Sequence, residues 1–381
     1  MDRFAPVCDR SFASDTERHQ RGRRLLGEQF EWKDMSNRED SYPGKATVMD
    51  RNPSKVPIDD APMSAEWNWH PNLPIPNSPL FEWPLRPSAI FRWFAKSWLE
   101  LSMTMVTLGT AVLTANYLQP ALERCATFEF GWIAQIYLRN FALITIIAGG
   151  LHLYLHTYKL QGKKRKFIAQ EFAKNKKMFT LSNQVWDNMF WSLASGVTTW
   201  TAYEVLYFWA LSNGYIPQLN FSQNPILGVA LFLLTPFWLS FHFYWAHRFL
   251  HWGPLYKRVH SLHHRNIATG PWSGFSMHPI EHVLYLSSCL IHVVVPSNPI
   301  LMLFHMHLQV LNPLASHSGF EELLAHDKKQ LALGSFYHQL HHRFFECNYG
   351  SADVPWDKWF GSFHDGTAEA TEQMRKRLSG K

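Results

Sequence analysis

The chain has 381 residues, enough for one to three domains and a sizeable buried core, and its 46% hydrophobic content includes 17 Trp and 28 Phe. The mean hydropathy of −0.20 resembles that of a soluble protein, but a polar head over 1–95 and a polar, histidine-rich tail dilute long apolar runs between them. Cys8, Cys125, Cys289 and Cys347 form no CxxC, which argues against a disulfide framework or a zinc ribbon; no nucleic-acid partner is expected.

Residues 1–41 are polar, with RHQRGRR at 18–24 and no apolar stretch of the kind that marks a cleaved leader. Asp2, Asp9, Asp15 and Glu17 argue against a transit peptide. Proline is dense from 42 to 95, where Trp67, Trp69 and Trp83 also fall. That density denies regular helix or central strand, so the segment reads as an extended arm along a surface or a membrane interface. Four apolar spans follow, at 98–118, 132–156, 190–213 and 225–250. Each is long enough to cross roughly 30 Å of hydrocarbon at about 1.5 Å per residue.

Loop charge orients them. The loop 159–178 carries Lys159, Lys163, Lys164, Arg165, Lys166, Lys174, Lys176 and Lys177 against Glu171, whereas the loop 214–224 carries no charge. The basic loop is therefore expected in the cytosol, with the arm bearing Arg86, Arg92 and Lys96 on the same side. Two further apolar arms, 283–295 and 299–311, flank Pro296-Ser-Asn-Pro299. Each is too short to span alone, so a re-entrant hairpin or a pair of short helices is expected to return the chain to the cytosolic side. The fold class is thus a mostly α, multi-pass membrane bundle of four long helices plus a short hairpin, under a cytosolic histidine-rich helical cap.

Histidines then recur at helical spacing: His247 and His251 are four apart, and His260, His263 and His264 repeat the i, i+3, i+4 pattern of His338, His341 and His342. On α-helices such positions share one face, so their imidazoles can converge. Imidazole suits iron, zinc, copper or nickel rather than calcium or magnesium. Eight histidines exceed one tetrahedral site, and two metals is the simpler count. Gly253-Pro254 ends the fourth span just after His251, and LYKRVHSLHHR resumes as a helix at the membrane rim, where a lipid could enter sideways. His242 points off the ligand face, His152 and His156 read as structural or headgroup contacts, His292, His305 and His307 as hydrogen-bonded core groups, and His326 and His364 as surface groups.

HRFLH (247–251), HSLHH (260–264), HPIE (278–281), HSGF (317–320), HQLHH (338–342) and NYGSADVPWDKWFG (348–361) resemble the fatty acid hydroxylase/sterol desaturase superfamily, integral-membrane non-haem di-iron enzymes. The resemblance covers roughly 190–365. It implies a pair of iron ions, with zinc a possible occupant of purified protein, and a reaction that uses O₂ and two electrons to hydroxylate or desaturate a C–H bond of a sterol or fatty-acyl lipid. Its ligands would be His247, His251, His260, His263, His264, His338, His341 and His342, with His317 a ninth, His278 the first candidate for a tenth and His282 the second. Glu281, Glu321, Glu346, Asp353 and Asp357 are candidate acceptors for the outer N–H groups of these imidazoles. HSGF and HPIE point to the sterol-desaturase branch.

The chain shows no haem motif, GxGxxG loop or ferredoxin cysteines, so electrons would come from an external carrier such as cytochrome b5 or ferredoxin with its reductase, docking on the basic loop or on Arg258, Arg265 and Arg343. The domains follow: an arm over 1–95, the first transmembrane helices and basic loop over 96–215, a fatty acid hydroxylase-like catalytic region over 216–365 and a polar tail over 366–381. The expected location is the endoplasmic reticulum membrane of a eukaryote or the inner membrane of a bacterium, with the active site on the cytosolic side. Two other readings stand beside the oxygenase: a membrane metal-binding or transport protein, and an inactive scaffold of the family.

Overall fold

The computed structural model describes residues 67–379. The readings of residues 1–66 and of Cys8 lie outside the described residues. Pro87–Trp98 (α1) is followed by Met103–Leu113 (α2), which continues through a wide turn to Leu118. Phe130–His152 (α3) likewise runs on to Thr157. Gln184–Phe190 (α4) and Val197–Ser212 (α5) are joined by the wide turn Trp191–Gly196, and Pro225–Leu250 (α6) is the longest single helix.

Three of these helical stretches, Pro87–Leu118, Phe130–Thr157 and Pro225–Leu250, are long and apolar enough to cross a membrane. Their outer faces expose Leu138, Phe141 and Ile146 on α3 and Val229, Leu234, Phe241 and Phe249 on α6, as lipid contact would require. The fourth expected span, 190–213, is helical and is not one of these three. Its Trp200, Thr201, Glu204, Tyr207 and Phe208 are all buried, and Glu204 is paired with Arg139 of α3. Asn140 Nδ2 (3.0 Å) and Trp200 Nε1 (2.8 Å) also donate to that carboxylate. A buried ion pair so fully hydrogen-bonded is tolerated inside apolar surroundings, whereas an unpaired charge is not.

The hairpin differs from expectation in reach. After the short helix Ser261–His264 (α7), Pro279–Leu286 (α8) continues as a 3₁₀ stretch to Val293, and Pro299–Ser316 (α9) extends through Pro313. Its tip meets the loop before α6: Ser297 N donates to Pro217 O (3.0 Å) and Leu219 N to Ser297 O (2.8 Å). The hairpin therefore crosses the whole depth of the bundle. Every residue from Leu301 to Leu311 of α9 is buried, so this helix is the hub of the core. Pro313, having no N–H, leaves the carbonyl of Gln309 free, and the Tyr285 hydroxyl takes it at 2.6 Å. Gly274 sits against the Pro313 carbonyl where a Cβ would collide with it.

The basic loop lies at the histidine end. Phe167 N donates to Gly319 O (2.9 Å), and Arg265 Nη1 donates to Met178 O (2.9 Å). Trp67 and Phe336 meet edge to face at 4.8 Å, and Asn68 N donates to Phe167 O at 2.9 Å, so the segment from Trp67 packs on this end too. Glu322–Ala325 (β1) and Lys328–Ala332 (β2) pair antiparallel across His326 and Asp327, whose left-handed φ of 50° and 59° suits a tight hairpin. Phe336–Phe344 (α10) and Ala368–Ser379 (α11) complete the chain. His326 is exposed as expected, but His364 is buried, its ring stacked on Phe344 at 5.0 Å.

Candidate metal centre

His247 lies on the last turn of α6 and His251 caps it. Gly253-Pro254 starts a new turn, and the wide helical turn Tyr256–His260 feeds Ser261–His264 (α7). Such turns recur where a helix must re-aim a functional side chain. His317 caps the end of α9, and His338, His341 and His342 lie on α10.

These residues form two groups of imidazoles, each with its ligand atoms within 4.8 Å of one another: His247, His251, His260, His264 and His341 in one, His263, His317, His338 and His342 in the other. The division cuts each HxxHH run. Residues four apart, His260 with His264 and His338 with His342, stay together, while His263 and His341 cross to the opposite group. The rings of His263 and His264 stand at 85° to each other, and those of His341 and His342 at 83°. The pattern expected to gather on one point thus serves two, because adjacent helical residues point about 100° apart.

Five of the nine outer nitrogens have a partner of their own. His247 Nδ1 donates to Tyr349 O and His341 Nδ1 to Cys347 O, both at 2.6 Å. His317 Nδ1 donates to Pro313 O (3.0 Å), His263 Nδ1 to Ser276 O (3.3 Å), and His260 Nδ1 faces Glu281 Oε1 at 2.7 Å. An Nδ1 that donates to a carbonyl leaves Nε2 with its lone pair. Burial also drives the imidazoles of His260, His264 and His342 well below their ordinary range, and that of His263 to about 4. They are neutral near pH 7.

This arrangement tests whether a metal fits. His247 Nε2 lies 3.0 Å from His260 Nε2, His264 Nε2 is 3.0 Å from His341 Nε2 and 3.1 Å from His251 Nε2, and His317 Nε2 is 3.0 Å from both His338 Nε2 and His342 Nε2. Where both Nδ1 atoms are engaged, as in the His247–His260 pair, facing lone pairs across such a gap repel unless a cation lies between them. Two nitrogens about 2.1 Å from one ion and at right angles would be roughly 3.0 Å apart. The residues fit a pair of imidazole-bound ions.

Of the sequence candidates, His278 stands apart. Its Nδ1 accepts from Ile280 N at 3.2 Å and so caps α8. His282 is also outside both groups, between Ser195 Oγ (3.0 Å) and Phe275 O (3.1 Å). His242 pairs with Ser287 Oγ at 2.9 Å, and His156 Nε2 with Ser318 O at 2.8 Å. Among the acidic candidates, Glu281 meets a ligand, whereas Asp353 is exposed.

Asp357 acts one step further out. It accepts from Tyr349 N (2.8 Å), Gly350 N (2.7 Å), Ser362 Oγ (2.6 Å) and Tyr337 Oη (2.6 Å), so it clamps the loop that presents the carbonyls of Cys347 and Tyr349. Phe345 and Asn348 take left-handed φ of 64° and 52° to turn that loop inward. Sequence reasoning missed these backbone acceptors because a carbonyl carries no residue signature; the acidic residue inside the NYGSADVPWDKWFG run was the available signal.

The comparisons agree with this geometry. Residues 232–362 match the fatty acid hydroxylase family model, a span that contains every imidazole of both groups. The chain is 26% identical over 240 residues to Delta(7)-sterol 5(6)-desaturase erg3B of Aspergillus fumigatus, covering 61% of this chain and 68% of that protein. It is 27% identical over 252 residues to Delta(7)-sterol-C5(6)-desaturase of Nicotiana tabacum, covering 63% of this chain and 87% of that protein. Methylsterol monooxygenase erg25A of Aspergillus fumigatus is 31% identical over 146 residues, 35% of this chain and 45% of that protein. No solved structure matches. The matched domain and the named desaturase and monooxygenase relatives support the fatty acid hydroxylase/sterol desaturase superfamily and an oxidoreductase.

Proposed function

We propose that the chain is a membrane-bound di-iron oxygenase that uses O₂ and two electrons to hydroxylate or desaturate a C–H bond of a sterol or fatty-acyl lipid. The observation that carries this reading is the convergence of nine mostly buried imidazoles in two groups at one end of apolar helices. Two bound ferrous ions would supply the reduction of O₂ and the oxidising power for an unactivated carbon. His247, His251, His260, His264 and His341 would hold one ion and His263, His317, His338 and His342 the other. Their neutral state leaves the lone pairs free for metal without a proton to displace.

The remaining residues orient and shield. The carbonyls of Tyr349, Cys347, Pro313 and Ser276 fix ring direction. Phe243 stacks on the His247 ring at 4.9 Å and meets Tyr285 edge to face at 6.0 Å, an apolar wall that keeps water from the reacting carbon. With the histidines at the helix ends, a lipid reaching them from the bilayer keeps its apolar body among side chains of similar polarity. The names of the desaturase relatives favour a sterol over an acyl chain.

Electrons would come from cytochrome b5 or ferredoxin with its reductase, drawn to the basic loop at the histidine end. The active site would face the cytosol, from the endoplasmic reticulum membrane of a eukaryote or the inner membrane of a bacterium. The test compares lipid extracts of expressing and non-expressing cells by mass spectrometry. A product lighter by two hydrogens indicates desaturation, and one heavier by an oxygen indicates hydroxylation. Bound metal with no O₂- and reductant-dependent product would return the reading to a metal carrier or an inactive scaffold.

A further inference from the structure

We propose that the two metal positions are unequal and that Glu281 is the positioning residue that makes them so: the five-histidine position keeps its ion under conditions that empty the four-histidine position. The inference rests on the two-metal reading above and extends it to the order in which the ions are held. Three features of the structure point the same way.

The first is the donor count, five imidazoles against four. The second is how firmly the rings are fixed. In the larger group three outer nitrogens are held at 2.6–2.7 Å, by Tyr349 O, Cys347 O and Glu281 Oε1. In the smaller group the corresponding contacts are longer, 3.0 Å to Pro313 O and 3.3 Å to Ser276 O. A ring already locked in its binding orientation loses less freedom when it takes the metal.

The third feature is charge. The Glu281 side chain is 3% exposed and that of His260 2%. Its Oε1 faces His260 Nδ1, and its Oε2 is buried with no hydrogen-bond partner among the described residues. Burial pushes the Glu281 carboxyl up, and an ion on the ring it faces would oppose that rise, so that the carboxylate offsets the charge of the ion and raises the basicity of the far nitrogen. The acceptors identified behind the smaller group are neutral carbonyls, which lack that charge. Glu281 owes its place to the first turn of α8, at a helix N-terminus that favours an anion.

The experiment uses the full-length protein in detergent, loaded anaerobically with ferrous iron and titrated with a ferrous chelator while metal per chain is measured. The wild type should release its iron in two steps of one equivalent each, separated by about 10–100-fold in chelator concentration. His338→Ala should delete the easily lost step, and His251→Ala, which leaves the larger group with four imidazoles, should move the resistant step toward the easy one. Glu281→Gln keeps an acceptor oxygen for His260 but removes the charge, and it should move the resistant step toward the easy one by about 10–100-fold.

Release of both ions in a single wild-type step overturns the inference, as does a resistant step that Glu281→Gln leaves in place. If Glu281→Gln does not fold, the wild-type titration and the two histidine variants still decide it. A wild type that takes up no iron under loading overturns the two-metal reading itself, a result distinct from single-step release.

Discussion

Two sets of buried histidines share this molecule and do opposite things. In the core of the bundle His292 Nε2 lies 3.0 Å from His305 Nδ1, and His305 Nε2 lies 2.8 Å from Ser288 Oγ, whose hydroxyl in turn donates to Gln309 Oε1 at 2.6 Å. Donor can meet acceptor at each of these contacts without an ion. At the helix ends carbonyls take the Nδ1 protons of His247, His263, His317 and His341 and leave their Nε2 lone pairs turned toward neighbouring imidazoles. Burial and residue type do not separate a structural histidine from a metal ligand; the direction in which the neighbours force the proton does.

Substitutions that separate the two sets give the largest effect first. His263→Ala or His341→Ala should remove at least one equivalent of bound metal and all O₂-dependent turnover, read by metal analysis and product formation. Full activity in either variant would sink the assignment. Glu204→Ala leaves Arg139 charged and buried, and should cost about 3–5 kcal/mol of stability while metal content per folded chain is unchanged. Thermal unfolding in detergent, followed by metal analysis of the surviving fold, measures both.

Asp357→Asn lies between the two classes, since it touches no ligand but loosens the loop that holds His247 and His341. Metal affinity should fall by about 10–100-fold in a chelator titration. His305→Ala leaves Ser288 and His292 short of a partner, costing about 1–3 kcal/mol with both metal equivalents retained; loss of metal there would erase the contrast. His326→Ala, at an exposed turn, should change neither stability nor activity.

The boundary between what could and could not be read in advance follows the same physics. Spacing of His247, His251 and the two HxxHH runs was visible because an α-helix converts a repeat of three or four residues into a shared face. Apolar runs were visible because their length follows bilayer thickness. The run 190–213 reads as a fourth span, and only the fold shows Glu204 buried against Arg139, 65 positions away. The apolar runs 283–295 and 299–311 read as too short to span alone, whereas α9 continues through Pro313, where Tyr285 satisfies the carbonyl that this proline leaves free.

By itself the sequence determined that imidazoles would cluster at the ends of apolar helices, since periodicity and hydropathy are local properties of the chain. Only the tertiary structure decided which imidazole joins which group, that His263 and His341 cross over, and that His278 caps a helix instead. Those outcomes depend on where α6, α7, α9 and α10 meet and on which backbone carbonyls and carboxylate they bring behind each ring. Such contacts link residues up to about a hundred positions apart, and no local pattern encodes them.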